Sequence, residues 1–405
     1  MKSILIITPG FPIPTAGACE QDRLAGILQC KRLGFNVQVI AKVFDYKDKE
    51  IIKKFGRENG IKINLVRYKF QDKKSIGYYI KRLLNPKYWD GSAYEYFDEE
   101  IQDAVKRAIK ENRPDAAWFD YTYLWPLYSI VKKAGIPIIT RSINFEPQHF
   151  LEEDGNYVIN YVKFLPKVFS EYLTAKKSDI LFSITPKEQK LYKKLFKKTD
   201  ARNLPLRNLH SKLSNSRLIK DKPQLNAFFM GSTFNVSHNR RALEFVIKEI
   251  APRAEKEMPG KYVFYIFGGK IPEELSKLAG DNVKIAGFVD DLDRALEDMD
   301  VAVIPSLYGA GMQQKIFEPL CKGIPSVVSK RGIADYPFKH GEHLLAAESA
   351  DDFIGGLREL LDVSLRKRLS ENSIKLSKKL FSREIMDKTV KNICGLSSRT
   401  PEKSY

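Results

Sequence analysis

Apolar residues along this chain come mostly in short runs that end at turn-forming residues, with helix-spaced stretches between them. Positions 4–7 and 37–43 read as buried parallel strands. A helix is predicted between them, from Ala18 to a stop just before Gly34, where the missing side chain suits a helix end. Further strands are predicted at 63–66, 116–119, 136–140 and 180–183, with helices at 99–111 and 123–134. This alternation argues for an open α/β sheet with helices on both faces.

Over 196–223 the pattern gives way to basic and polar residues with two prolines, which reads as an interdomain connection. A second series follows, with strands predicted at 227–230, 262–267, 283–286, 301–305 and 326–329. Helices fall at 239–256, 272–278, 292–297, 315–322 and 350–362. The last pattern, 365–393, is a long lysine-rich helix that either crosses back to the first domain or lies on the second. The predicted layout is a first Rossmann-like domain over 1–205, a connection over 206–225, a second domain over 226–365 and a helical tail over 366–395.

A length of 405 residues exceeds the size of most single cores and agrees with two domains. The cysteines Cys19, Cys30, Cys321 and Cys394 have no paired spacing, so neither a disulfide framework nor a zinc site is expected. The apolar run at 4–7 is too short for a leader or a membrane span, and the expected location is the cytoplasm. The formal net charge of +18 suits an anionic membrane surface, a polyanion or plain solubility. Between 67 and 96, basic residues alternate with Tyr68, Phe70, Tyr78, Tyr79, Tyr88, Trp89, Tyr94 and Tyr96. That mix fits either ordinary packing on a sheet or a contact at lipid-headgroup level.

The chemistry concentrates at 307–323, which reads LYGAGMQQKIFEPLCKG. A predicted strand ends at Pro305, glycines follow at 309 and 311, and a helix begins. Glycines there bare the helix N-terminus, whose free N–H groups favour phosphate oxygens. Lys315 adds a positive charge to the same place, and Glu318 lies three residues on, near the same face. A diphosphate by the amides and lysine, with a ribose on the glutamate, fits a nucleotide donor. A tight turn with a surface Lys–Glu pair fits the same residues.

The stretch 228–328 resembles the donor domain of the large retaining glycosyltransferase family 4. It is most similar to polysaccharide-biosynthesis sugar transferases with a Gly-Ala-Gly, Lys, Glu, Gly-x-Pro motif. Here these are Gly309, Ala310 and Gly311, then Lys315, Glu318, and Gly323 with Pro325. Phe229-Met230-Gly231-Ser232, Asn239, Ile266-Phe267-Gly268 and Ala286-Gly287-Phe288 match the family's other landmarks in order. The resemblance implies a GT-B fold, two Rossmann-like domains facing across a cleft. It also implies sugar transfer from a nucleoside diphosphate sugar to a glycan or lipid-linked acceptor, with retention.

The implied donor site comprises Gly231, Asn239, Arg240, Gly268, Gly287, Phe288, Gly309, Ala310, Gly311, Met312, Lys315 and Glu318. The base would lie near Gly287 and Phe288, the ribose on Glu318 and the diphosphate by Lys315. Ala310 stands where many members carry a further glutamate, and Arg240 and Arg241 are displaced beyond Asn239. More of the phosphate charge therefore falls to Lys315, the first catalytic candidate.

In the first domain, the proline-rich stretch 8–14 leads to Gly17, Ala18, Glu20 and Arg23, similar to the family's acceptor-side loop and first helix. Arg141, Asn144 and Glu146 match a subgroup motif in which Ile143 replaces a histidine. These six residues, without Glu146, form the predicted acceptor set; Asp120 and Glu146 are the carboxylates predicted to orient the acceptor. A retaining route lets a donor phosphate oxygen take the acceptor proton, so it does not need that histidine as a base. No metal or cofactor is expected. The alternatives are a sugar-nucleotide epimerase or phosphorylase on the same fold, or a basic nucleic-acid-binding protein. No zinc finger, basic zipper or stacking motif supports the last.

Overall fold

Two parallel sheets, each formed from the runs just named, organise the protein. The structure is a computed structural model and describes all residues except 1, 16, 45–47, 70–74, 155–157, 310 and 392–405. Phe70, Ala310 and Cys394, with the last part of the predicted tail, lie outside the described residues.

The first sheet has seven strands: β1 (Ser3–Gly10), β2 (Asn36–Val43), β3 (Lys62–Arg67), β4 (Ala116–Asp120), β5 (Ile138–Ser142), β6 (Ile180–Ser183) and β7 (Ala201–Asn203). Their order is β3-β2-β1-β4-β5-β6-β7, parallel throughout. Ile4, Leu5, Ile6 and Ile7 are all buried, because helices cover both faces and both alternating sets of side chains need apolar surroundings.

The second sheet contains β8 (Leu225–Thr233), β9 (Tyr262–Gly269), β10 (Val283–Gly287), β11 (Val301–Ile304), β12 (Ser326–Ser329) and β13 (Leu345–Ala347). The order is β10-β9-β8-β11-β12-β13, again parallel. Both sheets thus contain a Rossmann-type reversal, between β1 and β4 and between β8 and β11.

The edge strands β7 and β13 go beyond the pattern, since three residues are too few to show a period. The helix predicted at 239–256 is three pieces: Ser237–Phe245, a π turn at Val246–Ile250, and Ala251–Glu257. Pro252 lacks the N–H that a regular turn would use, which accounts for the widened turn before it. The helix predicted at 123–134 begins as a 3-10 stretch, Thr122–Leu127, that holds Pro126.

The chain divides into a unit of Met1–Arg207 and Met386–Tyr405 and a unit of Asn208–Ile385. Most of the lysine-rich tail therefore belongs to the second unit. Its helix Val363–Phe381 places Phe381 among Phe317, Tyr336 and Phe338. The next helix, Arg383–Lys391, carries Asp387 to Gln29 and Arg32 and Val390 into the first unit's core. Among the described residues no helix is long and apolar enough to cross a membrane.

Candidate functional site

In an open α/β sheet, ligands bind beyond the carboxyl ends of the strands where the order reverses. In the second unit that place is the pair of loops after β8 and β11. The loop after β8 leads to the helix Ser237–Phe245, and the loop after β11 leads to the helix Gln314–Cys321. Gly309 and Gly311 have φ of 91° and 75°, which disfavour any side chain. Gln313 stands at the N-cap but gives its side chain to Ser306 and to the carbonyl of Tyr308, not to the helix amides.

Lys315, in the first turn, is 9% exposed. Its ammonium donates to Asn239 Oδ1 at 2.8 Å, and Asn239 Nδ2 donates to the Thr233 carbonyl at 2.9 Å. The ammonium also lies 5.4 Å from the ring centre of Phe229. Burial pushes the pKa of this lysine down to about 7. One turn on, Glu318 is 1% exposed. Its Oε2 accepts from Gln314 Nε2 at 2.8 Å, and its Oε1 pairs with Lys212 Nζ at 3.0 Å. Asn208 Nδ2 in turn holds Gln314 Oε1 at 2.9 Å. Burial alone would lower the Lys212 pKa, but Glu318 and Asp293 outweigh it and hold this ammonium above its usual value. The surface Lys–Glu pair considered for this turn is absent: both side chains are buried and each has other partners.

Gly231 and Gly268 end neighbouring strands in close contact, and a Cβ on Gly268 would sit 2.1 Å from the Gly231 carbonyl oxygen. Gly309 approaches His238, and Met312 is buried. Gly287 and Phe288 lie at the carboxyl end of β10, two strands from β8, with Phe288 largely exposed. Arg240 has a largely exposed side chain. It pairs at 2.6 Å with Glu274, both side chains more than half exposed, while its neighbour Arg241 stacks on Tyr308 of the glycine loop at 4.7 Å. On the helix Ser237–Phe245, successive residues point about 100° apart, and of the two arginines Arg241 is the one that faces the loop.

Lys212, Asn208 and Gln314 did not emerge as site residues from the sequence. Gln314 stood inside the quoted motif, whereas Asn208 and Lys212 stood in a segment read as a connection.

In the first unit, a pocket of about 350 Å³ lies at the carboxyl ends of β1 and β2, lined by Glu20, Arg23, Lys42, Tyr121 and Tyr123 among others. Gly17 precedes the helix Ala18–Arg32, whose first residue is Ala18. Arg23 Nη1 donates to Thr8 Oγ1 at 3.1 Å and to the Gly10 carbonyl at 2.9 Å, and Nη2 pairs with Glu20 at 3.0 Å. Arg141, Asp120, Asn144 and Glu146 do not line it. Arg141 is wholly buried and grips Asp22 through two bonds of 2.9 Å and the carbonyls of Leu204 and Pro205. Because β5 lies inside the sheet, a guanidinium on it finds its partners in the interior. Asp120, 1% exposed, accepts from Trp118 Nε1 at 2.8 Å and faces Arg207 at 3.5 Å through the same oxygen. Asn144 takes the Ser142 hydroxyl on its carbonyl, and Ile143 is buried. Glu146 opens the helix Glu146–Asp154, with Lys167 3.9 Å away.

Residues 225–363 match the family model described as Glycosyl transferases group 1. These residues form a glycosyltransferase domain. The matched domain is thus one that transfers a sugar to an acceptor. The fold is that of the GT-B enzymes, and solved structures match it nearly end to end. Sucrose-phosphate synthase of Thermosynechococcus elongatus superposes with a TM-score of 0.69 at 13% identity, over 97% of this chain and 98% of that one. HepE of Anabaena, solved with UDP and glucose, gives 0.66 at 13% identity over 97% and 99%. A glycosyltransferase of Rickettsia africae gives 0.66 at 11% identity over 98% and 99%. No curated protein matches the chain by sequence. Among the described residues no group of three or more His, Cys, Asp or Glu is placed to hold a metal ion.

Proposed function

We propose that the donor's diphosphate lies against the start of the helix Gln314–Cys321, with Lys315 on its oxygens and Glu318 on the ribose. The observation that carries this reading is a buried ammonium beside a glycine loop, one turn from a buried carboxylate. Neither charge is stable in such a place without polar partners. A diphosphate supplies two negative groups to the ammonium and the helix amides, and ribose hydroxyls donate to the carboxylate.

Transfer then proceeds with retention. As the sugar–phosphate bond breaks, negative charge grows on the departing diphosphate, and Lys315 with the first-turn amides stabilises it. A phosphate oxygen takes the proton of the attacking hydroxyl on the same face. Arg241, through its place on Tyr308, is the better candidate for a second phosphate contact than Arg240.

The acceptor side uses the first unit's pocket with Gly17, Ala18, Glu20 and Arg23, and Glu146 orients the acceptor hydroxyl. The acceptor is a glycan or lipid-linked sugar of surface polysaccharide synthesis, presented at an anionic membrane on its cytoplasmic side, in keeping with the charge of +18. HepE, with UDP and glucose bound, makes UDP-glucose the first donor to try. Calorimetry with a panel of nucleotide sugars, followed by mass spectrometry with lipid-linked acceptors, tests this. Donor binding in the micromolar range with mass added to an acceptor is expected; no binding at millimolar donor sinks the reading.

A further inference from the structure

Two helices of the first unit present apolar faces to solvent. On Ile76–Leu84, the side chains of Ile76, Ile80, Leu83 and Leu84 are 77%, 52%, 75% and 78% exposed. On Val158–Lys177, the residues Tyr161, Leu165, Phe169 and Tyr172 recur at steps of four, four and three and form one exposed stripe. The stripes adjoin. Phe169 packs edge-on against Trp125 with ring centres 6.3 Å apart, and the next residue, Ser170, donates to Asp90 at 2.6 Å. Asp90 follows the exposed Trp89, whose indole donates back to the Leu83 carbonyl at 3.3 Å.

Lysines gather beside this surface. Lys176 lies over Tyr172 and Lys177 over Trp125, each 5.6 Å from the ring centre. Lys87 and Lys132 stand close enough, together with Lys176, for their charges to act on Lys177. Bulky apolar side chains, an interfacial tryptophan, tyrosines and a lysine group together match the two layers of a bilayer surface, acyl chains below and anionic headgroups above.

We propose that this face docks on an anionic lipid bilayer, with Leu83, Leu84 and Leu165 entering the acyl boundary and Lys87, Lys132 and Lys176 meeting the headgroups. A second copy of this chain is the poorer occupant. A two-fold contact sets each patch against itself, so its lysine groups would confront each other. An anionic leaflet takes up both the apolar surface and the charge. The inference deepens the membrane-presented acceptor of the proposed function, yet its test needs no donor, so failure here leaves the transfer reading standing.

The experiment is flotation of the full chain with vesicles of phosphatidylglycerol and phosphatidylethanolamine, against vesicles of phosphatidylcholine alone. Binding to the anionic vesicles that weakens with salt is expected, with little to the neutral ones. The pair Leu83→Asn with Leu165→Asn, and separately Lys87→Glu with Lys176→Glu, should each lower partitioning at least about tenfold. These side chains are exposed, so the thermal midpoint should stay in place. Absence of vesicle binding, equal binding to both compositions, or variants that bind like the parent overturns the proposal. So does a dimer in sedimentation equilibrium that the leucine variant dissociates, which would give the face to a second copy.

Discussion

The ammonium of Lys315 donates to the side-chain oxygen of Asn239 at 2.8 Å, a neutral partner for a buried charge. Burial has brought its pKa to about 7, so above neutral pH much of the donor-free protein carries a neutral amine. A bound diphosphate raises that pKa again, and donor binding therefore takes up a proton. Titration calorimetry at pH 8 in two buffers of different ionisation enthalpy should show uptake approaching one proton per donor. Donor affinity should fall as pH rises from 7 to 9, by at most about tenfold per unit. In Lys315→Met both effects should vanish; no uptake in the parent protein contradicts this account. The donor-free fold follows the same linkage. Because the folded pKa is depressed, this contribution to stability is present above the unfolded lysine's value and lost as pH falls through about 7.

Lys315→Met should also separate binding from chemistry. Charge that builds on the departing diphosphate is felt more in the transition state than in the bound donor. A fall in kcat of about 10²-fold or more is expected, with a smaller rise in donor KM. Steady-state kinetics on a soluble acceptor would check it, and a change confined to KM would assign Lys315 to binding alone.

Lys212 occupies the Glu318 oxygen that a ribose hydroxyl would use. Glu318→Ala should weaken donor binding by about 10- to 100-fold, the range for hydrogen bonds to a charged group. Lys212→Met should act oppositely on two readouts. The donor-free midpoint falls because Glu318 loses its ion pair, and donor binding tightens severalfold because nothing competes for Oε1. Differential scanning fluorimetry with and without donor reads both; a lower midpoint with weaker donor binding would refute the competition.

Arg141 and Asp22 form a pair with no exposure on either side. Burial alone would raise the Asp22 pKa, but Arg141 and Arg207 outweigh it and hold the carboxyl far below its usual range. Arg141→Met leaves Asp22 short of a partner and should cost about 3–5 kcal/mol of stability, measured by urea denaturation. Donor affinity should not change, since Arg141 lies in the other unit. A soluble, stable variant with lost acceptor affinity would restore the acceptor-binding role.

Glu171 sits wholly buried between the Thr122 hydroxyl at 2.8 Å and the Tyr192 hydroxyl at 2.6 Å, and burial raises its pKa to about 8. A raised carboxylate contributes stability that is full below its unfolded value and lost as pH rises through the folded one. Stability should therefore decline between about pH 4.5 and pH 8 by roughly 4 kcal/mol from this group. Glu171→Gln should flatten that decline in denaturation curves taken across the range.

The parallel sheets were legible because strands buried on both faces must be apolar throughout, as at Ile4–Ile7 and Val301–Ile304. The glycine loop was legible because positive φ at 309 and 311 demands a residue without a side chain. Partnership across sequence distance was not. Arg141 matched an acceptor motif by its neighbours, yet Asp22, 119 positions earlier, fixes its place. Lys212 lay in a run whose basic composition read as linker, and its meaning depends on Glu318, 106 residues on. Arg240 and Arg241 were interchangeable in sequence until the helix phase turned one to Glu274 and the other to Tyr308.

The first unit is assembled from both sides of the second, from residues up to 207 and again from 386. During synthesis, the seven strands of its sheet emerge early, but Asp387 and Val390, which brace Arg32 and complete its core, emerge only after all of residues 208–385. The second unit, one unbroken stretch, is complete in chain before the first has its last helix. A ribosome stalled just after residue 385 has emerged would thus hold a complete second unit and a first unit still open on one side.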